Sequence, residues 1–322
     1  MPGVKGSNTW NRPSVHRGVA VALATDTSLM ASRDARGQAC CAGTGAVTPG
    51  RLALHEAALV GVQAKWGGAP GSYDQRGGYV PSPAGAGELD LEQDVFAAVR
   101  VVERTQLALL VPIVETWRSS LGTSEFGGGV GDVNLSARYD FTIAGASRLV
   151  PGTAVLGGVT LPAGRPADDR GVGALATGAT GVGAYQFNLG VAAEQSFGPW
   201  LVNDTGVVAE RTARTVGSGV TAVHERLAAQ WTALGAIAYV FPNEWAAALS
   251  ASYAFEGNAT VNGAESAGSS HRLLTLSLSG VAPFGDVWRL QGAVFDNPPF
   301  DRLGANQPSN AGASVTLVRS WL

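Results

Sequence analysis

From Val133 to Phe141, inside the stretch "EFGGGVGDVNLSARYDF", every second residue is apolar: Val133, Leu135, Ala137, Tyr139 and Phe141. The residues between them, Asn134, Ser136, Arg138 and Asp140, are polar, and Asp132 precedes them in phase. A period of two gives a strand with one apolar and one polar face. In a soluble sandwich the apolar face turns inward, whereas in a membrane barrel it turns outward. The rest of the chain has to decide between them.

Eleven other segments alternate in the same way. The twelve read as about 51–66, 90–103, 105–117, 130–141, 150–161, 180–193, 199–212, 224–241, 244–256, 271–283, 286–296 and 311–322. At ~3.3 Å per residue such strands are long enough to cross a ~25 Å apolar band when tilted by about 40°. Soluble strands are commonly half that length. No stretch has the ~20 consecutive apolar residues of a spanning helix, and no 20–50 residue motif repeats.

The connections alternate between long and short. Residues 67–89, 118–129, 162–179, 213–223, 257–270 and 297–310 are long, whereas Arg104, 194–198, Pro242–Asn243 and Phe284–Gly285 are tight and 142–149 is intermediate. Outer-membrane barrels have this asymmetry, with short turns in the periplasm and longer loops outside. Six of the eight tryptophans fall near strand ends on this reading. Trp66 and Trp117 belong to the outer rim, Trp200, Trp245, Trp288 and Trp321 to the periplasmic rim, and Trp231 alone is placed mid-strand in a segment. Indole suits a membrane interface because an apolar body carries one hydrogen-bond donor. The fold expected is therefore all-β, a transmembrane antiparallel up-and-down β-barrel of about twelve strands. It must close, since lipid cannot satisfy an open edge.

In the 322 residues, 15% are charged, 44 are glycine, and Lys5 and Lys65 are the lysines. A net charge of −3 without a basic, aromatic-interleaved cluster gives no sign of a nucleic-acid partner. Ahead of the barrel, 1–39 reads as a signal or targeting segment, with His16 and Arg17 before a short apolar run that Asp26 interrupts. Residues 40–50 read as a linker carrying the adjacent Cys40 and Cys41, which cannot staple distant parts of a fold. Residues 51–322 are assigned to the barrel.

Parity along each strand nominates the lumen: Glu92, Asp94 and Arg100; Asp132, Asn134, Arg138 and Asp140; Gln186 and Asn188; Arg226 and Gln230; Arg289 and Gln291. These groups form either a polar path for solute or a network of acids and arginines that fills the bore. Ala246, Ala248, Ser250, Ser252 and Ala254, with Thr275, Ser277 and Ser279, leave room inside, and that room is either a channel or the berth of an inserted loop or of the chain preceding residue 51. Leu274, Leu276 and Leu278 are expected to face lipid.

Catalytic residues are not expected. His224 and His271 lie at strand starts, and a serine hydrolase needs Ser, His and an orienting group in mutual reach. No HxH, HExxH or EF-hand spacing suggests a metal, and no cofactor is expected. The glycines of "GGGVG" precede a strand, whereas a phosphate loop precedes a helix.

"FGGGVGDVNLSARYDF", with "GGVTLPAGR" and "LATGATGVGAYQF", resembles the outer-membrane barrel family named for the meta-pathway of phenol degradation, also called transporter-like. Ala163 stands where that family's Leu-Pro-Thr-Gly has threonine. The resemblance implies an outer-membrane pore, with aromatic or other hydrophobic small molecules as the solute class. The partners expected are the lipid bilayer of the bacterial outer membrane, the barrel-assembly machinery and a small-molecule solute. The alternatives are a closed barrel that binds partners or stiffens the envelope, an outer-membrane hydrolase, and a soluble β protein.

Overall fold

A computed structural model describes residues 51–120, 122–145, 149–169, 171–216, 222–285 and 287–322. The signal reading for 1–39 and the Cys40–Cys41 linker lie outside the described residues. The described chain is all-β. Twelve antiparallel strands follow one another around a closed barrel: β1 (Ala58–Tyr73), β2 (Gly87–Val102), β3 (Thr105–Ser120), β4 (Thr123–Val130 and Val133–Thr142), β5 (Gly152–Leu161), β6 (Gln186–Phe197), β7 (Trp200–Arg211), β8 (Gln230–Val240), β9 (Ala246–Glu256), β10 (His271–Phe284), β11 (Trp288–Asp296) and β12 (Gln307–Trp321). Closure comes from β12 pairing with β1, in register from Ala58 opposite Trp321 to Gly68 opposite Ala311. No edge is left for lipid to meet.

The apolar face of the opening stretch points outward. Leu135, Ala137, Tyr139 and Phe141 are exposed while Arg138 between them is buried. Leu276 and Leu278 are exposed in the same way on β10, and Val60, Val62 and Leu249 on their strands. Asp204 breaks the pattern by pointing outward, four residues after Trp200 on β7.

Short turns gather at one end of the barrel, at 103–104, 198–199 and 241–245, and that end carries an aromatic rim. Trp200 meets Tyr239 edge-on at 4.9 Å, and Tyr239 meets Phe241 at 5.0 Å. The Arg319 guanidinium lies 5.6 Å from the Trp288 ring and 5.1 Å from Trp321. Rings with a polar handle collect where hydrocarbon gives way to water.

Several local expectations change, among them the sixth strand, which runs from Gln186 to Phe197 and not over 180–193. The first strand starts at Ala58, not at residue 51, because 51–57 turns into the bore; Trp66 consequently falls mid-strand. Strand β8 starts at Gln230, not at 224, and this moves Trp231 from mid-strand to the strand's outer end, where it is exposed. Residues 223–226 instead join 214–216, 260–261 and 264–265 in a small four-stranded sheet at the long-loop end. Finally, 118–129 is a tight hairpin, not a long loop, since β3 and β4 run on to Ser120 and Thr123.

That hairpin explains the glycine run. The outer half of β4 pairs with β3 alone among the described strands. Its other edge is covered by residues of the connection between β5 and β6, among them Gly164, Thr177, Thr180 and Val182. Asp132 accepts hydrogen bonds from the Gly164 and Val182 amides at 2.9 and 2.8 Å, and Thr180 donates to the Val130 carbonyl at 2.8 Å. A Cβ at Gly127 would lie 2.6 Å from the carbonyl carbon of Thr177, so only glycine lets the loop approach this closely.

Candidate functional site

The barrel encloses a cavity of about 810 Å³ to which each of the twelve strands contributes. Its wall divides by chemistry. One side carries the charged residues: Lys65 on β1 and Asp90, Glu92 and Asp94 on β2. Alternate positions of one strand aim these three acids the same way. The Lys65 ammonium rests 3.2 Å from Glu92, and the Thr116 hydroxyl donates to Asp90 at 2.8 Å. Ser250, Ser252, Ser277 and Ser279 line the side formed by β9 and β10, and the Ser250 and Ser277 hydroxyls are 2.6 Å apart.

Seven of the residues nominated by parity reach this cavity: Glu92, Asp94, Asn134, Gln186, Asn188, Gln230 and Gln291. The others lie elsewhere. Asp132 anchors the loop against β4, as described. Arg226 is exposed in the small outer sheet, where it pairs with Glu210 at 2.6 Å; it is off the bore because its strand ends before β8 begins. Arg100, Arg138, Asp140 and Arg289 collect at the short-turn end.

There the bore is packed. Residues 51–57 fold inside, turning at Leu54 and His55. Leu52 is 4% exposed and packs with Leu59, Phe96, Ala98 and Val318, beneath Ala108 and Leu110 of the cavity wall. Gly61 makes room for Phe96, because a Cβ there would lie 2.3 Å from the ring. Polar anchors hold the same segment. Arg100 donates to the Ala53 and Glu56 carbonyls at 2.6 and 3.0 Å, and the Leu52 amide donates to Gln106 at 3.1 Å. Glu56 forms an ion pair with Arg289 at 2.7 Å, with both side chains 3% exposed. Glu194 lies between Arg51, which it pairs with directly, and Arg138 at 3.6 Å, while Arg138 donates to Asp140 at 2.8 Å. Buried charges persist only when paired in this way.

No protein-family model and no curated protein matches the sequence. Among solved structures, the COG4313 outer membrane channel from Pseudomonas putida F1 is similar at a TM-score of 0.68 and 17% identity, over 84% of this chain and 97% of its own. The chain has the fold of an outer-membrane channel. The transport unit of the autotransporter AIDA-I from Escherichia coli is similar over 90% of this chain and 99% of its own, at a TM-score of 0.48 and 7% identity. The CymD monoaromatic hydrocarbon channel covers 83% of this chain and 89% of its own at 0.40 and 11%. At those scores neither bears on what this chain does. Closure, an outward apolar face and an aromatic rim place this barrel in the outer membrane.

The histidines singled out by sequence have ordinary partners. His271 Nδ1 is 2.6 Å from the Gln307 amide nitrogen, and His224 Nδ1 is 3.3 Å from the Thr215 hydroxyl. Ser269, two residues from His271, donates to the Ser266 carbonyl at 2.7 Å. Among the described residues no group of three or more His, Cys, Asp or Glu could hold a metal.

Sequence reasoning missed Lys65, Gln63 and Asp90 in the wall, and Arg51, Glu56 and Glu194 at the packed end. The first three had a signal. Gln63 and Lys65 alternate with Val62, Ala64 and Trp66, and Asp90 shares the parity of Glu92 and Asp94. Glu194 likewise shares the parity of Gln186 and Asn188. Arg51 and Glu56 had none, because nothing local marks where β1 begins.

Proposed function

We propose that this barrel is a passive outer-membrane channel for small solutes with an apolar or aromatic body. The observation that carries the reading is the cavity to which all twelve strands contribute, wide where Ser250, Ser252, Ser277 and Ser279 replace bulkier side chains. Leu110, Leu156, Leu234, Leu273 and Phe295 stand among its polar groups, a mixture that suits an apolar solute with few polar atoms. The resemblance of three sequence motifs to the transporter-like family supports the same class.

A second reading, a closed barrel that does not conduct, is favoured by the packing of residues 51–57 at the short-turn end. Planar bilayers separate the two. The channel reading expects discrete conductance steps from purified protein, smaller steps from Ser277→Trp, and larger steps when Arg51→Ala and Leu52→Gly together loosen the inserted segment. Membranes that stay silent with both the native protein and the loosened variant would establish the closed barrel.

A further inference from the structure

We propose that the acidic side of the cavity is a binding site for a small organic ammonium ion, with Asp94 as the group that receives the cationic head. This deepens the channel reading and rests on the cavity it describes.

Asp94 is 5% exposed, lines the cavity, and has an Oδ1 that is buried without a hydrogen-bond partner. A buried carboxylate oxygen left unpaired is costly, and its persistence calls for a partner that comes and goes. The neighbouring cations do not supply one. The Lys65 ammonium is engaged with Glu92 at 3.2 Å, Asp90 accepts from Thr116, and Arg118 is paired with Glu88 at 2.9 Å. Three acids and one lysine line the cavity, a formal excess of two acidic groups on its charged wall. Gln63, opposite Asp94 on β1, turns its amide to the Thr316 hydroxyl at 2.8 Å.

The surroundings select an organic cation over a metal ion. Opposite Asp94 on β3 is Pro112, which has no amide hydrogen to offer, and the next inward residue toward the short-turn end is Leu110. Phe96 and Leu52 form an apolar floor on that side. No cluster of His, Cys, Asp or Glu suited to a metal occurs among the described residues. An ammonium with a short hydrocarbon tail would set its charge on Asp94 and its tail against Leu110, Leu156 or Phe295. That leaves a charged head paired and an apolar body out of water.

Equilibrium dialysis of purified protein in zwitterionic detergent micelles tests this, with protein-free micelles as the blank. n-Hexylammonium and its neutral counterpart 1-hexanol are the probes. Native protein is expected to retain about one hexylammonium per barrel in excess of the blank. Asp94→Asn, confirmed as folded by its heat-dependent gel mobility, is expected to bind it at least about tenfold more weakly. Hexanol should bind native protein and variant alike. Equal retention of amine and alcohol by native protein would overturn the site without recourse to any variant. So would unchanged amine binding in the folded variant, and complete displacement of the amine by an equimolar potassium salt would overturn the organic class. Dialysis needs no conduction, so a barrel that binds hexylammonium in micelles yet stays silent in bilayers keeps the site and loses the channel.

Discussion

The two halves of the bore solve opposite problems with the same strands. Toward the short turns, inward positions hold Arg138, Glu194 and Arg289, nearly excluded from solvent and paired with one another or with Glu56 of the inserted segment. Toward the long loops, inward positions on β9 and β10 include Ser250, Ser252, Ser277 and Ser279, and the polar groups line open space. The lesson is that a polar inward face does not itself specify a channel. Long ionic side chains that reach one another fill a bore, whereas short hydroxyls that cannot span it leave room. The charge content of a lumen strand therefore says less about passage than the length of its side chains.

The largest effect should come from breaking the packed half. Arg138→Glu removes a cation from Glu194 and sets a second carboxylate beside Asp140. In a site this dry the uncompensated charge should cost ~3–5 kcal/mol. Urea unfolding in detergent, followed by loss of gel-resistant folded barrel, measures it. A midpoint equal to that of the native protein, together with a shift of reversal potential toward cations, would mean that water reaches Arg138 and that the two halves do not differ.

Much of this contrast could be read from the sequence, and the missing part has a physical cause. Strand membership, the outward turn of Leu135 and Tyr139, and the small inward residues of β9 and β10 all follow from a period of two. That period is a local property, set by the pleat. The start of β1 is not local. "RLALHEA" continues the phase of the strand after it only from Leu52 to His55, and the partners supplied by Arg100, Arg289 and Glu194, far along the chain, draw it into the bore. The edge of β4 failed to be legible for a similar reason. A loop replaces a strand there through side-chain bonds from Asp132 and Thr180, which no alternation announces. Arg226 was misplaced because a short strand of the outer sheet continues the parity of β8 across a break.

The second effect concerns the wall between bore and lipid. Leu276 is 40% exposed on the outer face of β10 and opposite Ala251 of β9. Replacing it with Arg puts a guanidinium into hydrocarbon and should cost ~2–4 kcal/mol if the residue lies near the bilayer midplane. The same unfolding assay, run in lipid vesicles so that the outer face meets acyl chains, gives the value.

The smallest effect should come from the adjacent residue. Ser277 faces the cavity and meets the Ser250 hydroxyl at 2.6 Å. Ser277→Gln gives up one hydroxyl contact for an amide that reaches open space, where its donors and acceptor can be solvated. A substitution with that outcome usually changes stability by no more than about 0.5 kcal/mol. Leu276→Arg and Ser277→Gln are one residue apart, so any effect of position along the barrel is shared, and what differs is the direction of the side chain and the charge it carries. If Ser277→Gln cost as much as Leu276→Arg, the cavity would be as tightly packed as the short-turn end, and the serines of β9 and β10 would be filling the bore instead of opening it.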